Sequence, residues 1–140
     1  MLFNPPRYKK NIRKHLIVFN LKQKYSNNFN LKYGNYGLKC LEEGYISPNQ
    51  LEAARRIFSK NIKKNFGQLW IFAKPNFSKT KKPNEVRMGK GKGPVKGWYF
   101  PVKRGFVILE LTGVSYKIAI LLLRIASKKL SIRTSIVCLK

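Results

Sequence analysis

The sequence predicts an α+β fold: a compact mixed sheet with two helices packed on it, a basic N-terminal arm and a long Gly/Lys-rich loop. Three observations predict it. Two segments combine helical start signals with apolar residues at helical spacing. Short apolar and β-branched runs, bounded by glycine, proline or asparagine, are typical of strands. A chain of 140 residues with 44% hydrophobic side chains fits one domain with a modest core.

The predicted arm covers residues 1–32, and the predicted domain covers residues 33–140. Residues 1–41 carry nine basic groups and no acidic one. Prolines and asparagines between the basic residues favour extended or turn backbone, so we expect the arm to lie along phosphates. A solvated, mobile terminus is the alternative. The basic residues concerned are Arg7, Lys9, Lys10, Arg13 and Lys14.

The first helix is predicted to begin at Ser47 and to end at Gly67. Ser47 can cap it, Pro48 suits the first helical position, and Gln50 completes a capping box. At 100° per residue one stripe is apolar, consisting of Leu51, Ala54, Phe58 and Ile62. The opposite side is cationic, with Arg56, Lys60 and Lys63. Such a helix can pack on a sheet and present its cations to RNA, although a merely solvated charged face is the alternative.

The remaining elements follow in order. Residues 69–73 form an apolar run that predicts a buried strand, with Trp70 in the core. Residues 74–97 are predicted to be a long functional loop. Residues 98–102 and 106–111 predict two strands joined by a hairpin turn at 103–105, with Pro101 at an edge or a bulge. A second helix, mostly buried, is predicted at 116–130 after a Ser115 cap, and a last strand at 132–137.

The charge balance indicates a polyanionic partner. Thirty Lys and Arg residues face five Glu, so the formal net charge is +25, which a polyanion would neutralise. Nucleic acid is the leading candidate and an anionic membrane surface the alternative. No apolar run approaches the roughly 18 residues that a membrane span needs. The N-terminal segment also lacks the apolar core and cleavage site of a secretory signal.

Catalytic, metal and nucleotide sites are not supported by the sequence. The chain has one histidine, no aspartate and two widely separated cysteines, too few groups for acid–base chemistry or a zinc site. Gly89, Gly91 and Gly93 alternate with lysines and match neither common glycine-rich nucleotide motif. Alternating glycine and lysine instead lets a backbone approach phosphates closely. Arg87 could fork onto a phosphate there, although a flexible surface loop is the alternative.

Two long motifs resemble one known family. Residues 82–93, KPNEVRMGKGKG, and residues 36–56, YGLKCLEEGYISPNQLEAARR, occur in the order expected for the bacterial-type large-subunit ribosomal protein L-sixteen family, including its organellar members. The similarity continues through residues 129–134. It implies a compact α+β fold, no enzymatic activity and no cofactor. It also implies binding to large-subunit rRNA near the central protuberance, where the family helps shape the aminoacyl-tRNA site beside the peptidyl transferase region.

The resemblance and the charge map together assign site residues. Expected rRNA-binding residues are Arg7, Lys9, Lys10, Arg13, Lys14, Lys39, Arg55, Arg56, Lys60, Lys63 and Lys64. The loop expected near the tRNA site contains Lys82, Arg87, Met88, Gly89, Lys90, Gly91, Lys92 and Gly93. The arginine that matches Arg87 is hydroxylated in some bacterial members. Expected partners are large-subunit rRNA, tRNA and neighbouring ribosomal proteins, with no small-molecule substrate.

Composition suggests where such a protein would work. Lysine outnumbers arginine 22 to 8, and the chain has 12 Asn, 12 Ile and 9 Phe, all residues that AT-rich codons specify. We therefore expect a mitochondrial ribosome, with a plastid or bacterial ribosome as the alternative. A free RNA-binding module or RNA chaperone is the second functional hypothesis, and it predicts similar affinity for mixed RNAs with steep salt dependence.

Overall fold

A computed structural model describes residues 31–62, 67–89 and 91–139, with only the backbone of Lys60 described. Within these ranges the chain forms seven strands and two helices. The helices are α1 (Pro48–Ile62) and α2 (Tyr116–Ser127). The strands are β1 (Tyr36–Cys40), β2 (Gly44–Ile46), β3 (Gln68–Ile71), β4 (Phe77–Thr80), β5 (Val95–Val102), β6 (Val107–Thr112) and β7 (Thr134–Cys138).

The strands form two antiparallel sheets. One has the order β3-β6-β1-β7 and the other the order β2-β5-β4. Leu38 pairs with Leu109 of β6 on one side and with Ile136 of β7 on the other, so β1 lies inside the larger sheet. The predicted α+β fold is confirmed, and its strands form two antiparallel sheets where the sequence predicted one mixed sheet.

Strand β6 connects the two hydrophobic cores. Leu109 and Leu111 belong to a cluster that includes Phe58 of α1 and Leu123 of α2. Ile108 belongs to a second cluster with residues from both sheets, including Ile46 of β2. Because successive side chains on a strand point to opposite faces, one strand can contribute to both clusters. The larger sheet therefore packs against the helices through the first cluster and against the smaller sheet through the second.

The predicted N-terminus of α1 is confirmed. The Ser47 backbone N–H donates to Gln50 Oε1 at 2.9 Å, and the Gln50 N–H donates to Ser47 Oγ at 3.3 Å. The predicted apolar stripe is buried at Leu51, Ala54, Phe58 and Ile62. Residues 63–66 lie outside the described ranges, so the predicted end of this helix is not tested.

We expect Ser47→Ala to lower the free energy of unfolding by about 1 kcal/mol, because two N–H groups at the helix start depend on the capping box. Ser59→Ala is the matched control, since the Ser59 hydroxyl only donates to the Arg56 carbonyl within the helix. Urea unfolding of both variants measures the difference. Equal stability of the two variants would contradict a stabilising role for the cap.

Two strand predictions need correction. The predicted buried strand at 69–73 is the shorter β3, which is half-buried because it lies at the edge of its sheet and pairs only with β6. The predicted loop at 74–97 contains β4, which pairs with β5 from Phe77 to Thr80, and it also contains the first residues of β5. Strand β4 could not be recognised from the sequence, because only one of its four residues is apolar.

The predicted hairpin turn at 103–105 is also wrong. The Phe106 N–H donates to the Lys103 carbonyl as in a turn, but β5 and β6 belong to different sheets. The chain therefore passes from one sheet to the other at this point. Pro101 lies in the central strand of the smaller sheet, beyond Tyr99, where pairing with β4 ends. A missing N–H is tolerated there because β5 has a paired neighbour on only one side.

Helix α2 is less buried than its composition predicts. It ends at Ser127, and the Ser115 side chain makes no capping hydrogen bond. Its buried residues are Ala119, Leu122, Leu123 and Ala126. Leu121 is 58% exposed on the other side, because the helix packs with one face against α1, β1 and β7. Neither described helix has the length and hydropathy of a membrane span.

Candidate nucleic-acid interface

A buried carboxylate holds the segment that leads into the domain. Glu110 on β6 is 1% exposed. Its Oε1 accepts the N–H of Lys32 at 2.9 Å, and its Oε2 accepts the N–H groups of Tyr33 at 2.7 Å and Gly34 at 2.9 Å. Hydrogen bonds to an ionised acceptor are stronger than neutral ones. Residues 31–34, which we call the strap, are therefore fixed to the sheet at the point where the basic arm joins the domain.

The strap lies close against the larger sheet. The Tyr33 ring lies 5.8 Å from the Trp70 ring and 6.1 Å from the Phe72 ring, measured between centroids. A Cβ on Gly34 would approach the Leu111 backbone nitrogen to 2.8 Å, so only glycine fits at this contact. Sequence reasoning missed the role of Glu110, whose partners lie 76 to 78 residues away along the chain.

The Gly/Lys-rich loop extends a hairpin of the smaller sheet. It connects β4 with β5, and the Lys81 N–H donates to the Pro94 carbonyl at 3.1 Å at its base. A Cβ on Gly93 would lie 2.7 Å from the Lys81 carbonyl oxygen, so the two sides of the loop approach closely there. Within the loop, the Val86 N–H donates to the Pro83 carbonyl at 3.3 Å. The loop is thus narrow at its base.

The tip of this loop projects into solvent. Gly89 and Gly91 adopt φ values of 98° and 82°, a region that favours glycine. Met88 is 99% exposed, and Arg87 is exposed beside it. The Lys82 ammonium donates to the Gly89 carbonyl across the loop. Methionine and arginine side chains held in solvent at a glycine-rich tip are available to contact another molecule.

The cations of α1 are partly engaged by a carboxylate on the same helix. Arg55 donates to Glu52 through Nε at 2.9 Å and Nη2 at 2.8 Å. Arg56 donates through Nε at 3.3 Å and keeps 72% of its side chain exposed. The hydrogen bond from Arg55, with a smaller contribution from Arg56, lowers the pKa of Glu52 from 4.5 to about 2. Arg56 is therefore the more accessible of the two arginines.

The Glu52 carboxyl makes a pH-dependent contribution to stability. Because its pKa is lower in the folded chain, the contribution is complete above pH 4.5 and is lost as the pH falls towards about 2. We expect the difference in free energy of unfolding between the wild type and Glu52→Gln to shrink over that interval. Urea unfolding at several pH values measures it, with Glu43→Gln as the exposed control. A pH-independent difference would contradict the ion-pair interpretation.

The described site residues lie on three elements. Lys82, Arg87, Met88, Gly89, Gly91, Lys92 and Gly93 share the β4–β5 loop. Arg55 and Arg56 lie on α1, and Lys39 is half-buried on β1. The predicted residues outside the described ranges are Arg7, Lys9, Lys10, Arg13, Lys14, Lys63, Lys64 and Lys90, and the side chain of Lys60 is likewise not described.

An aromatic cluster on the smaller sheet was missed by sequence reasoning. The Tyr99 ring on β5 lies 5.1 Å from Tyr45 on β2, edge-on, and 5.9 Å from Phe77 on β4, stacked. We call Tyr45, Phe77 and Tyr99 the aromatic platform. The sequence offers only a partial signal for it, a lysine near Phe77 and another near Tyr99, and this signal does not show which strands pair.

The described ranges offer no cluster of metal ligands, and the thiol of Cys40 is buried. These residues contain no group of three or more His, Cys, Asp or Glu side chains that could hold a metal ion. Burial raises the pKa of the Cys40 thiol to about 12, which makes it an unreactive core side chain.

Comparisons with known proteins identify the family. Residues 5–137 match the model of the family described as Ribosomal protein L16p/L10e. A relative from Spiroplasma kunkelii, named large ribosomal subunit protein uL16, is 42% identical over 94% of both chains. A relative of the same name from Allorhizobium ampelinum is 45% identical, over 78% of this chain and 79% of the relative. Another, from Fervidobacterium nodosum, is 47% identical, over 75% of this chain and 73% of the relative.

The match spans almost the entire sequence, and it includes both the α1 region and the glycine-rich loop. The expectation that the chain is not an enzyme agrees with the structural role of this family. The chain therefore belongs to the ribosomal protein L16p/L10e family and is a structural constituent of the large ribosomal subunit.

Proposed function

We propose that this protein binds large-subunit rRNA near the central protuberance and that its β4–β5 loop helps shape the aminoacyl-tRNA site beside the peptidyl transferase region. The observation that carries this proposal is the loop itself. It combines a narrow base with a tip of positive-φ glycines, an exposed arginine and a fully exposed methionine. Such a tip can enter a narrow RNA crevice, since glycine allows close backbone approach while the cations meet phosphates.

The basic arm and the outer side of α1 are proposed to hold the protein on rRNA phosphates. A net charge of +25 supports this role, because neutralising phosphates releases counterions. Arg56 supports it locally, since most of its side chain is exposed despite the Glu52 contact. The loop would then serve the tRNA site, whereas the arm and α1 would serve assembly.

We further propose that the ribosome concerned is mitochondrial. The support is compositional: the excess of lysine over arginine and the abundance of Asn, Ile and Phe fit an AT-rich organellar gene. A plastid or bacterial ribosome is the alternative, and the relatives from Spiroplasma, Allorhizobium and Fervidobacterium are bacterial. Fractionation of the source cells, with detection of the chain by a specific antibody, distinguishes these locations.

Sedimentation of the native protein through a high-salt gradient tests the proposed binding to the large subunit. An integral component is expected to migrate with the large subunit when salt has removed loosely held proteins. A free RNA chaperone would stay at the top of the gradient while the subunit remains intact. That result would overturn the proposal, because a chaperone binds mixed RNAs without a fixed site.

The charge-reversal variant Arg56→Glu, Lys60→Glu, Lys63→Glu is expected to fail to enter the large subunit. Three cations that the sequence predicts on one side of this helix would become anions, and each lost phosphate contact weakens RNA binding at physiological salt. The same sedimentation experiment measures incorporation. The matched control reverses three exposed cations elsewhere: Lys117 and Arg124 on α2, and Lys128 directly after its end. Undiminished incorporation of the α1 variant would mean that this helix face is only solvated.

A further inference from the structure

We infer that the aromatic platform on the smaller sheet stacks an unpaired nucleobase of large-subunit rRNA, with Lys79 beside the neighbouring phosphate. This inference rests on the proposed rRNA binding and adds a specific base-stacking site to it. It concerns residues that lie outside both the glycine-rich loop tip and α1.

The platform occupies the outer face of its sheet. Ile46, Phe100 and Val102 pack into or against the second hydrophobic core. Side chains alternate along a strand, so Tyr45 and Tyr99 point to the opposite face. Tyr45 is 44% exposed, and Phe77 and Tyr99 are half-buried. Three rings from three strands are thus held against one another with part of their surface in solvent.

A gap beside Tyr99 is open to an incoming flat group. Gly97 lies two residues before Tyr99 on the same face of β5, and a Cβ there would meet no atom within 4 Å. On β4 the partner of Gly97 is Lys79, which is exposed and lies two residues after Phe77. The surface therefore places an aromatic cluster, an open gap and a cation side by side.

The charge of this sheet favours RNA as the occupant. Strands β2, β4 and β5 contain Lys79 and Lys96 and no acidic residue. The acidic residues closest along the chain, Glu42 and Glu43, precede β2, and Glu42 already accepts the Arg133 N–H at 2.7 Å. Aromatic side chains stack bases of any identity, and an adjacent cation neutralises the backbone phosphate. An unpaired nucleotide of the rRNA provides both a base for the rings and a phosphate for Lys79.

Two substitutions disrupt the proposed stacking site in different ways, and neither changes a residue of a hydrophobic core. Tyr45→Ser deletes the most exposed ring. Gly97→Val fills the gap beside Tyr99, and valine suits a strand better than glycine, so this variant is expected to fold at least as well as the wild type. Tyr45→Phe is the control, because it keeps the ring and changes only the hydroxyl. Thermal unfolding of each full-length variant verifies that the fold is intact.

Chemical probing of large subunits free of tRNA provides the decisive measurement. Subunits that carry Tyr45→Ser or Gly97→Val are expected to show a several-fold gain in 2′-hydroxyl acylation at the same unpaired rRNA nucleotide, because a nucleotide that is no longer stacked is more mobile. Subunits with Tyr45→Phe should match the wild type. Unchanged reactivity in both variants would overturn the inference. The same unchanged reactivity is expected if a neighbouring protein, and not rRNA, covers the platform, so that case also counts against base stacking. Absence of the wild-type chain from the subunit would overturn the proposed function itself.

A binding assay with the full chain gives an independent readout. The probe is a single-stranded RNA of about 12 nucleotides that carries 2-aminopurine, whose fluorescence is quenched by stacking. Gly97→Val is expected to weaken binding about 5- to 100-fold, the range for loss of one stacked base. The slope of affinity against salt should not change, because no charge is altered. Equal affinity and equal quenching in the variant and the wild type would contradict base stacking.

Discussion

Glu110→Ala is expected to lower the free energy of unfolding by about 3–5 kcal/mol, because it leaves three N–H groups of the strap without their acceptor. The carboxylate is 1% exposed, so water does not readily replace it. The Gly34 N–H is buried, and those of Lys32 and Tyr33 are partly buried. An unsatisfied buried donor costs about 1–3 kcal/mol, and the three costs are not fully additive.

Two control variants separate the carboxylate from the space that it fills. Glu110→Gln keeps nearly the same volume but places an NH₂ group against N–H donors, so we expect it to destabilise the chain less than alanine and more than a surface change. Glu85→Gln in the exposed part of the loop should have almost no effect. Urea unfolding measures all three. Similar stability of Glu110→Gln and Glu85→Gln would contradict the anchoring role of the carboxylate.

Hydrogen exchange shows whether the strap also opens locally. The amides of Lys32, Tyr33 and Gly34 are expected to lose protection in Glu110→Gln before the core strands do, because their acceptor is the altered group. If their protection follows that of β1 and β6 in every variant, the strap unfolds only together with the whole domain. That result would contradict an independent anchor and leave a purely global effect on stability.

Local signals in the sequence predicted local structure well. The capping box of α1 was recognisable because Ser47 and Gln50 satisfy each other within a single turn. The division into two sheets was not predictable, because short strands with similar composition do not encode their partners. For the same reason the sequence predicted that β5 and β6 form a hairpin, although they belong to different sheets. The exposure of α2 also depends on which elements are available to cover it, and its own sequence does not contain that information.

The candidate site also has one part that the sequence predicted and other parts that it did not. The glycine-rich loop is a continuous segment, so its residues could be predicted together before its shape was known. The aromatic platform takes one residue from each of three strands, and Tyr45 and Tyr99 are far apart in the sequence. The anchoring role of Glu110 could not be predicted from the apolar strand around it, because its hydrogen-bond partners lie far away in the sequence, near the start of the domain. Sites built across strands require the register of the sheet, which sequence patterns do not provide.

Arg87→Ala is expected to impair translation while leaving assembly intact. Arg87 is exposed in a loop tip that contributes nothing to either hydrophobic core, so its removal should not affect folding. In the proposed position the guanidinium donates to RNA at the tRNA site. Loss of charge-assisted hydrogen bonds of this kind predicts about 10- to 100-fold weaker binding of aminoacyl-tRNA to the ribosome. Sedimentation measures incorporation, and filter binding of aminoacyl-tRNA measures the site.

Two further substitutions make the Arg87 result specific. Arg87→Lys keeps the charge but loses the planar fork, so it should recover part of the affinity and not all of it. Arg104→Ala removes another exposed arginine, from the turn between the sheets, and ribosomes that carry it should bind aminoacyl-tRNA as the wild type does. If Arg87→Ala is as mild as Arg104→Ala, the loop does not serve the tRNA site. If Arg87→Ala fails to enter the subunit, the loop is an assembly element, and the proposed division of roles between loop and α1 is wrong.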